Sequence, residues 1–173
     1  MAIINKKVME PIQLKFKDDG KIPNSHLPLL IYKNAFSEEK ADADYIIHHF
    51  EGHNWSNSWK DGVYDYHHYH SNTHEAMGVY SGFATILFGG ENGQQVSVEE
   101  GDVIVVPAGV GHKKISASDD FKVVGAYPNG SDYDIMKGEK SERPKADENI
   151  KKVPLPDKDP VYGMMEGLVP LWK

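Results

Sequence analysis

The chain has 173 residues, 39% of them apolar and 26% charged, with a formal net charge of -7. That profile suits one soluble domain that buries a core without covalent staples. The absence of cysteine excludes disulfides, zinc–thiolate sites, iron–sulfur clusters and cysteine nucleophiles, and the acidic balance without a basic patch argues against a nucleic-acid partner.

The N-terminal "MAIINKKVMEPIQ" lacks the apolar run of a signal peptide, and no stretch approaches the roughly 20 apolar residues of a membrane span. With no cysteine, the expectation is a cytoplasmic protein without a membrane partner. The single arginine, Arg143, sits in the polar "GEKSERPKADEN" and reads as a surface residue. A bidentate clamp for phosphate or carboxylate is therefore scarce, which leaves lysines such as Lys60 or Lys113 as weak attractors of an anionic ligand.

In chain order, "PIQLKF" and "LPLLIYK" read as short strands separated by the turn-rich "DDGKIPNSH". In "SEEKADADYIIHHFEG", Ala43, Ile46, Ile47 and Phe50 recur at helical spacing, Ser37 is placed to cap the start and Gly52 to end it. His48 and His49 diverge on that helix and read as solvated or structural. From residue 62 to 128 the runs "YDYHHYH", "EAMGVY", "FATILFG", "QQVSV", "DVIVVPA", "HKKISA" and "FKVVGAY" alternate with breaks such as "GGENG" and "EEGD". Strands this closely spaced predict an antiparallel sandwich or barrel, with no room for crossover helices. Residues 129–153 read as extended polar loop. The terminal "PLPDKDPVYGMMEGLVPLWK" carries enough apolar surface to predict packing on the barrel or on a second subunit.

Four histidines and a glutamate crowd residues 67–75. Strand alternation puts His68 and His70 on one face, with Tyr64 and Tyr66 beside them, and His67 and Tyr69 on the other. Glu75 opens the next strand and adds a hard oxygen ligand to the two imidazoles. His74, one residue off, is a packing residue or, with a shorter turn, an alternative ligand to Glu75. A further ligand is available in "GDVIVVPAGVGH", where Pro107 and Gly109 turn the chain and His112 starts the returning strand. Lys114 and Ser116 share the parity of His112 and are candidate pocket residues. Tyr66 lines the pocket or belongs to the core, and His26 and His53 carry no signal.

These spacings resemble the cupin family. The pattern G-x5-H-x-H-x4-E-x6-G is met by Gly62, His68, His70, Glu75 and Gly82; G-x5-P-x-G-x2-H-x3-N is met by Gly101, Pro107, Gly109 and His112, with Ser116 in place of the last asparagine. The flanks "DDGKIPNS" and "HHYHSNTHEAMGV" are similar to a narrower branch, the YjlB-type bacterial cupins, which carries no settled activity. The resemblance implies one all-β cupin domain over residues 1–173, a jelly-roll barrel (double-stranded β-helix) with its core near residues 60–128. N-terminal strands and a short helix would occupy 11–52, and an extended C-terminal arm 129–173. It implies His68, His70, Glu75 and His112 as ligands of a divalent metal, His112 being reached only through the family pattern.

Three imidazoles and a carboxylate suit iron, manganese, nickel or zinc. The expected function is a metal-dependent oxygenase, isomerase or lyase acting on a small polar molecule, with Glu75, Tyr66 and Lys114 as candidate catalytic groups. The alternative is a non-catalytic binding or sensing barrel in which the metal anchors a ligand. Edge strands and the apolar tail favour a homodimer.

Overall fold

The structure, a computed structural model, describes residues 9–173. The reading of residues 1–8 as lacking a leader lies outside the described residues. Among the described residues nine strands form: β1 (Ile12–Phe16), β2 (Ser25–Tyr32), β3 (Trp55–Asp61), β4 (Glu75–Ser81), β5 (Phe83–Phe88), β6 (Gln94–Glu99), β7 (Val103–Val106), β8 (His112–Ala117) and β9 (Lys122–Pro128). They make a six-stranded sheet ordered β1-β2-β7-β4-β9-β3 and a three-stranded sheet ordered β6-β5-β8. Every pairing is antiparallel. The helices are α1 (Ala43–Gly52), α2 (Lys145–Lys152) and α3 (Leu168–Leu171), and among the described residues none is long and apolar enough to cross a membrane.

The larger sheet is buried on both faces, and its sequence shows why. Alternate residues point to opposite sides of a strand, so a strand covered on both sides reads as an unbroken apolar run. In β2 and β7, Leu29, Ile31, Ile104 and Val106 face the smaller sheet, whereas Leu30, Tyr32, Val103 and Val105 face the other way. That second face is covered by Ile46 and Phe50 of α1 and by Val161, Leu168 and Trp172 of the C-terminal segment. The apolar tail thus packs on its own chain. Of its large apolar residues, Leu155, Met164 and Met165 stay exposed.

Buried polar contacts fasten the segment. Asp159, fully buried, accepts the backbone N–H groups of Val161 (2.7 Å), Tyr162 (2.9 Å) and Leu168 (2.8 Å) and the Tyr32 hydroxyl. Trp172 Nε1 donates to the Pro28 carbonyl (2.9 Å), and His49 Nε2 donates to that of Val161 (2.7 Å). His49 is therefore structural, and His48 is exposed.

Three expectations need correction, and one strand was not anticipated. "YDYHHYH" is not a strand; only the bridges His68–His112 and Tyr69–Met136 pair it. The polar-looking "WSNSWKD" is β3, held at the sheet edge by β9. The stretch 129–153 is not all loop, because it carries α2, whose Ala146 is buried against Ile22 and Tyr69. Ser37 makes no capping hydrogen bond; the helix proper starts at Ala43, where Asp42 accepts the N–H of Tyr45 (2.9 Å). Arg143 is a surface pairing residue, bonded to Asp18 and Asp147. In "EEGD", Asp102 accepts the N–H groups of Asn34 (2.8 Å) and Glu99 (2.9 Å) and pairs with Lys33, which gives that acidic turn a structural role.

Asp159→Ala strips an acceptor from three backbone donors, and each buried donor left unpaired costs about 1–3 kcal/mol. We expect urea unfolding to show a loss of about 3 kcal/mol or more. A loss below about 1 kcal/mol would show that Asp159 does not hold the segment in place.

Candidate metal centre

Between the two sheets opens a cavity of about 570 Å³, and His68, His70, Glu75 and His112 line it. All four are buried. Glu75 and His112 are the first residues of β4 and β8, so each stands at a strand end facing the cavity. His68 and His112 exchange backbone hydrogen bonds, His68 N–H to His112 O (3.2 Å) and His112 N–H to His68 O (2.9 Å). The Gly109 N–H donates to the His70 carbonyl (2.8 Å), which ties the loop carrying the first two histidines to the turn before the third. Gly109 has φ +95°, and a side chain there would meet the Asn24 carbonyl oxygen at 2.4 Å, so the turn requires glycine.

Each imidazole is oriented by a backbone carbonyl. The Nδ1–H of His68 donates to Tyr66 O (3.0 Å), that of His70 to Asp134 O (2.5 Å) and that of His112 to Val110 O (3.2 Å). A carbonyl only accepts, so the proton sits on Nδ1 and the Nε2 lone pair is free. One ring nitrogen from each histidine lies within 4.8 Å of the others. Glu75 Oε1 lies 3.5 Å from both His70 Nε2 and His112 Nε2. Donors bound at ~2.0–2.2 Å to one ion stand roughly 3–3.5 Å apart, so Glu75 Oε1 already has that spacing to His70 and His112, and the three histidines form a group that suits a divalent cation.

Glu75 is itself held. The Tyr127 hydroxyl donates to its Oε2 (2.8 Å) and accepts from Trp59 Nε1 (2.6 Å), leaving Oε1 as the atom aimed at the histidines. Trp59 reaches Tyr127 because Gly125, opposite it in the β3–β9 pairing, has no side chain; a Cβ there would lie 2.2 Å from the indole. Tyr133 stacks on Tyr127 at 4.6 Å and meets His70 edge-on at 5.3 Å. The Asp134 side chain accepts the Ser71 N–H (2.7 Å), which pins the loop that supplies the His70 acceptor.

The charge states follow from burial and neighbours. Burial, then the nearby His112, push the His68 pKa down to about 3, which keeps the ring neutral. Burial alone would lower that of His70, but the Glu75 carboxylate outweighs it and the net shift is upward. Burial would raise that of Glu75, yet the facing His70 and His112 rings hold it well below the usual carboxylate range.

Other residues singled out from sequence are placed as follows. His74 is not in the cluster. Its Nδ1 accepts the Ala108 N–H (2.9 Å), its ring packs on Trp172 at 4.7 Å, and burial brings its pKa down to about 4. Its Nε2 faces the Pro154 backbone without a hydrogen bond of normal geometry. Tyr66 does not line the cavity; its carbonyl serves His68 and its ring stacks on Tyr64, which does. Lys114 lines the cavity, but Ser116 does not. A bulge shifts the β5–β8 register between Lys114 and Ser116, pairing Lys114 with inward Ile86 and Ser116 with Thr85, so the alternation breaks there. His67 is half-buried on the opposite side of the segment from the cluster, with Lys113 near it.

The Cupin family model matches residues 62–137, and a relative 48% identical over 158 residues covers 91% of this chain and 93% of its own, the "Uncharacterized protein YjlB" of Bacillus subtilis (strain 168). The chain belongs to the cupin family. Among solved structures, this cupin is similar to an acireductone dioxygenase from Bacillus anthracis with a cadmium ion in its active centre. The identity is 16%, over 63% of this chain and 78% of that one, with a TM-score of 0.40. It is also similar to a DUF861 family protein from Thermotoga maritima, at 18% identity over 56% of this cupin and 96% of that chain, with a TM-score of 0.38.

Tyr127→Phe removes the donor to Glu75 Oε2 and keeps the ring. Partners that orient a ligand are worth about 10–100-fold in metal affinity, so we expect titration with a divalent ion to show about tenfold weaker binding, alongside a stability loss of about 1–3 kcal/mol for the buried groups left unpaired. Unchanged affinity would show that Tyr127 does not orient the carboxylate.

Proposed function

We propose that this cupin is an enzyme that holds one divalent first-row ion on His68, His70 and His112 through Nε2 and on Glu75 through Oε1. The observation that supports this best is the common orientation of the three imidazoles, each with Nδ1–H on a backbone carbonyl and Nε2 left free. Iron, manganese, nickel and zinc suit the donor set. Such an ion supplies Lewis acidity or oxygen activation, which fits oxygenase, isomerase or lyase chemistry on a small polar molecule. With Oε2 tied to Tyr127, Glu75 serves as a fixed ligand rather than a mobile base. Lys114 is the cavity-facing cation nearest His112 along β8 and is the group proposed to meet the substrate.

One observation favours a second reading, a binding or sensing barrel. The carboxylates that line the cavity besides Glu75, Asp61 and Asp119, are both exposed, so neither is a buried acid or base beside the metal ligands.

Elemental analysis of protein purified without chelator tests the metal. We expect close to one equivalent in the wild type and a loss of most of it in His68→Ala/His70→Ala. Equal metal in both proteins would reject the site. Turnover of any small acid, diketone or sugar by the loaded protein would separate the enzyme from the binding barrel.

A further inference from the structure

The cavity wall narrows the class of molecule that it takes. Trp59, Tyr64, Phe121, Tyr127 and Tyr133 contribute rings, and Met77 and Val63 extend the apolar surface. Several polar groups on this wall are committed to other partners. Trp59 Nε1 and the Tyr127 hydroxyl belong to the chain that ends on Glu75. Ser118 Oγ is bonded to the backbone of Phe83. Lys122 pairs with Asp61 at 3.7 Å. Among the described residues, no asparagine, glutamine, threonine or arginine lines the cavity.

A sugar or other polyol needs several directed donors and acceptors, and of the neutral ring and hydroxyl groups on this wall only the Tyr64 and Tyr133 hydroxyls are uncommitted. A phosphate ester is best held by a guanidinium fork, and the chain's single arginine is occupied by Asp18 and Asp147. What remains is an aromatic wall and two lysines, Lys60 and Lys114, of which Lys114 stands beside the histidines. Lys114 faces the cavity two residues along β8 from His112, and its ammonium has no hydrogen-bond or ion-pair partner among the described residues. The lining lysines Lys60, Lys114 and Lys122 offset Asp61, Asp119 and Glu75, so a bound divalent ion leaves the cavity net positive.

We propose that the cavity binds a small planar carboxylate, its flat body against Tyr64, Tyr127 and Tyr133 and its acid group between the metal centre and Lys114. A flat apolar body gains from offset or edge-on ring contacts, and the acid group gains a charge-assisted hydrogen bond. The volume of about 570 Å³ fits a molecule of that size. This inference rests on the metal-centre reading and adds the ligand to it.

Benzoate serves as the probe, benzamide as its neutral counterpart of the same shape, and glucose and inorganic phosphate as the competing classes. Binding is read by calorimetry and by tryptophan fluorescence, to which Trp59 in the cavity wall contributes, on protein whose metal content has been measured. In the wild type, benzoate is expected to bind at least about tenfold more tightly than benzamide, the scale of a hydrogen bond to a charged group. Lys114→Met should remove most of that gap, and glucose and phosphate should bind more weakly than benzoate.

Equal binding of benzoate and benzamide, a gap unchanged in Lys114→Met, or tighter binding of glucose or phosphate would overturn the ligand class. Loaded protein that fails to bind benzoate also overturns it and leaves the metal centre standing. A benzoate preference that persists unchanged in metal-free His68→Ala/His70→Ala supports the ligand class and Lys114 but removes the metal as its anchor.

Discussion

The centre depends on one constraint, the pinning of three imidazoles by three backbone carbonyls. Tyr66 O, Asp134 O and Val110 O each take an Nδ1–H, and this turns three Nε2 atoms toward a common point next to Glu75. A buried imidazole without such a partner rotates or drops its proton on either nitrogen, and the site loses its shape. The carbonyls come from three separate segments. The centre therefore forms only when the His68–His112 bridge, the turn at Gly109 and the loop at Asp134 have all closed.

The same requirement explains the two-sided burial of the large sheet. Glu75 must stand at the edge of the cavity while Ala76 next to it packs into the opposite layer. The outer layer, made by α1 and the C-terminal segment, covers apolar side chains that a one-sided sheet would expose to water. His74 belongs to that layer, against Trp172, and this separates it from Glu75 although the two are adjacent in sequence. The outer face and the candidate metal centre are thus two sides of one strand.

Much of this was legible in the sequence. The spacing of Gly62, His68, His70, Glu75, Pro107, Gly109 and His112 marked the family, and His68, His70, Glu75 and His112 come together as that spacing implied. Alternation placed His68 with His70 and Tyr69 opposite them even though the segment forms only bridges, because an extended backbone alternates with or without a full ladder. It failed at Ser116, where an added residue in β8 reversed the faces, and a bulge leaves no mark in composition. Tyr127 was missed, although Val123, two steps of two before it, points into the same inter-sheet core. Trp59 was missed because "WSNSWKD" lacks the β-branched residues that announce a strand; its place is set by β9 and by Gly125. Helix α2 hid in a polar stretch because one small residue, Ala146, supplies its buried contact.

X-ray absorption at the edge of the bound metal tests the central claim most directly, since it reads the atoms around the ion whatever the reaction. The account predicts light-atom neighbours at ~2.0–2.2 Å with the outer-shell scattering of three imidazoles, falling to two in His112→Ala. An all-oxygen shell, or scattering from one imidazole or none in the wild type, would contradict it.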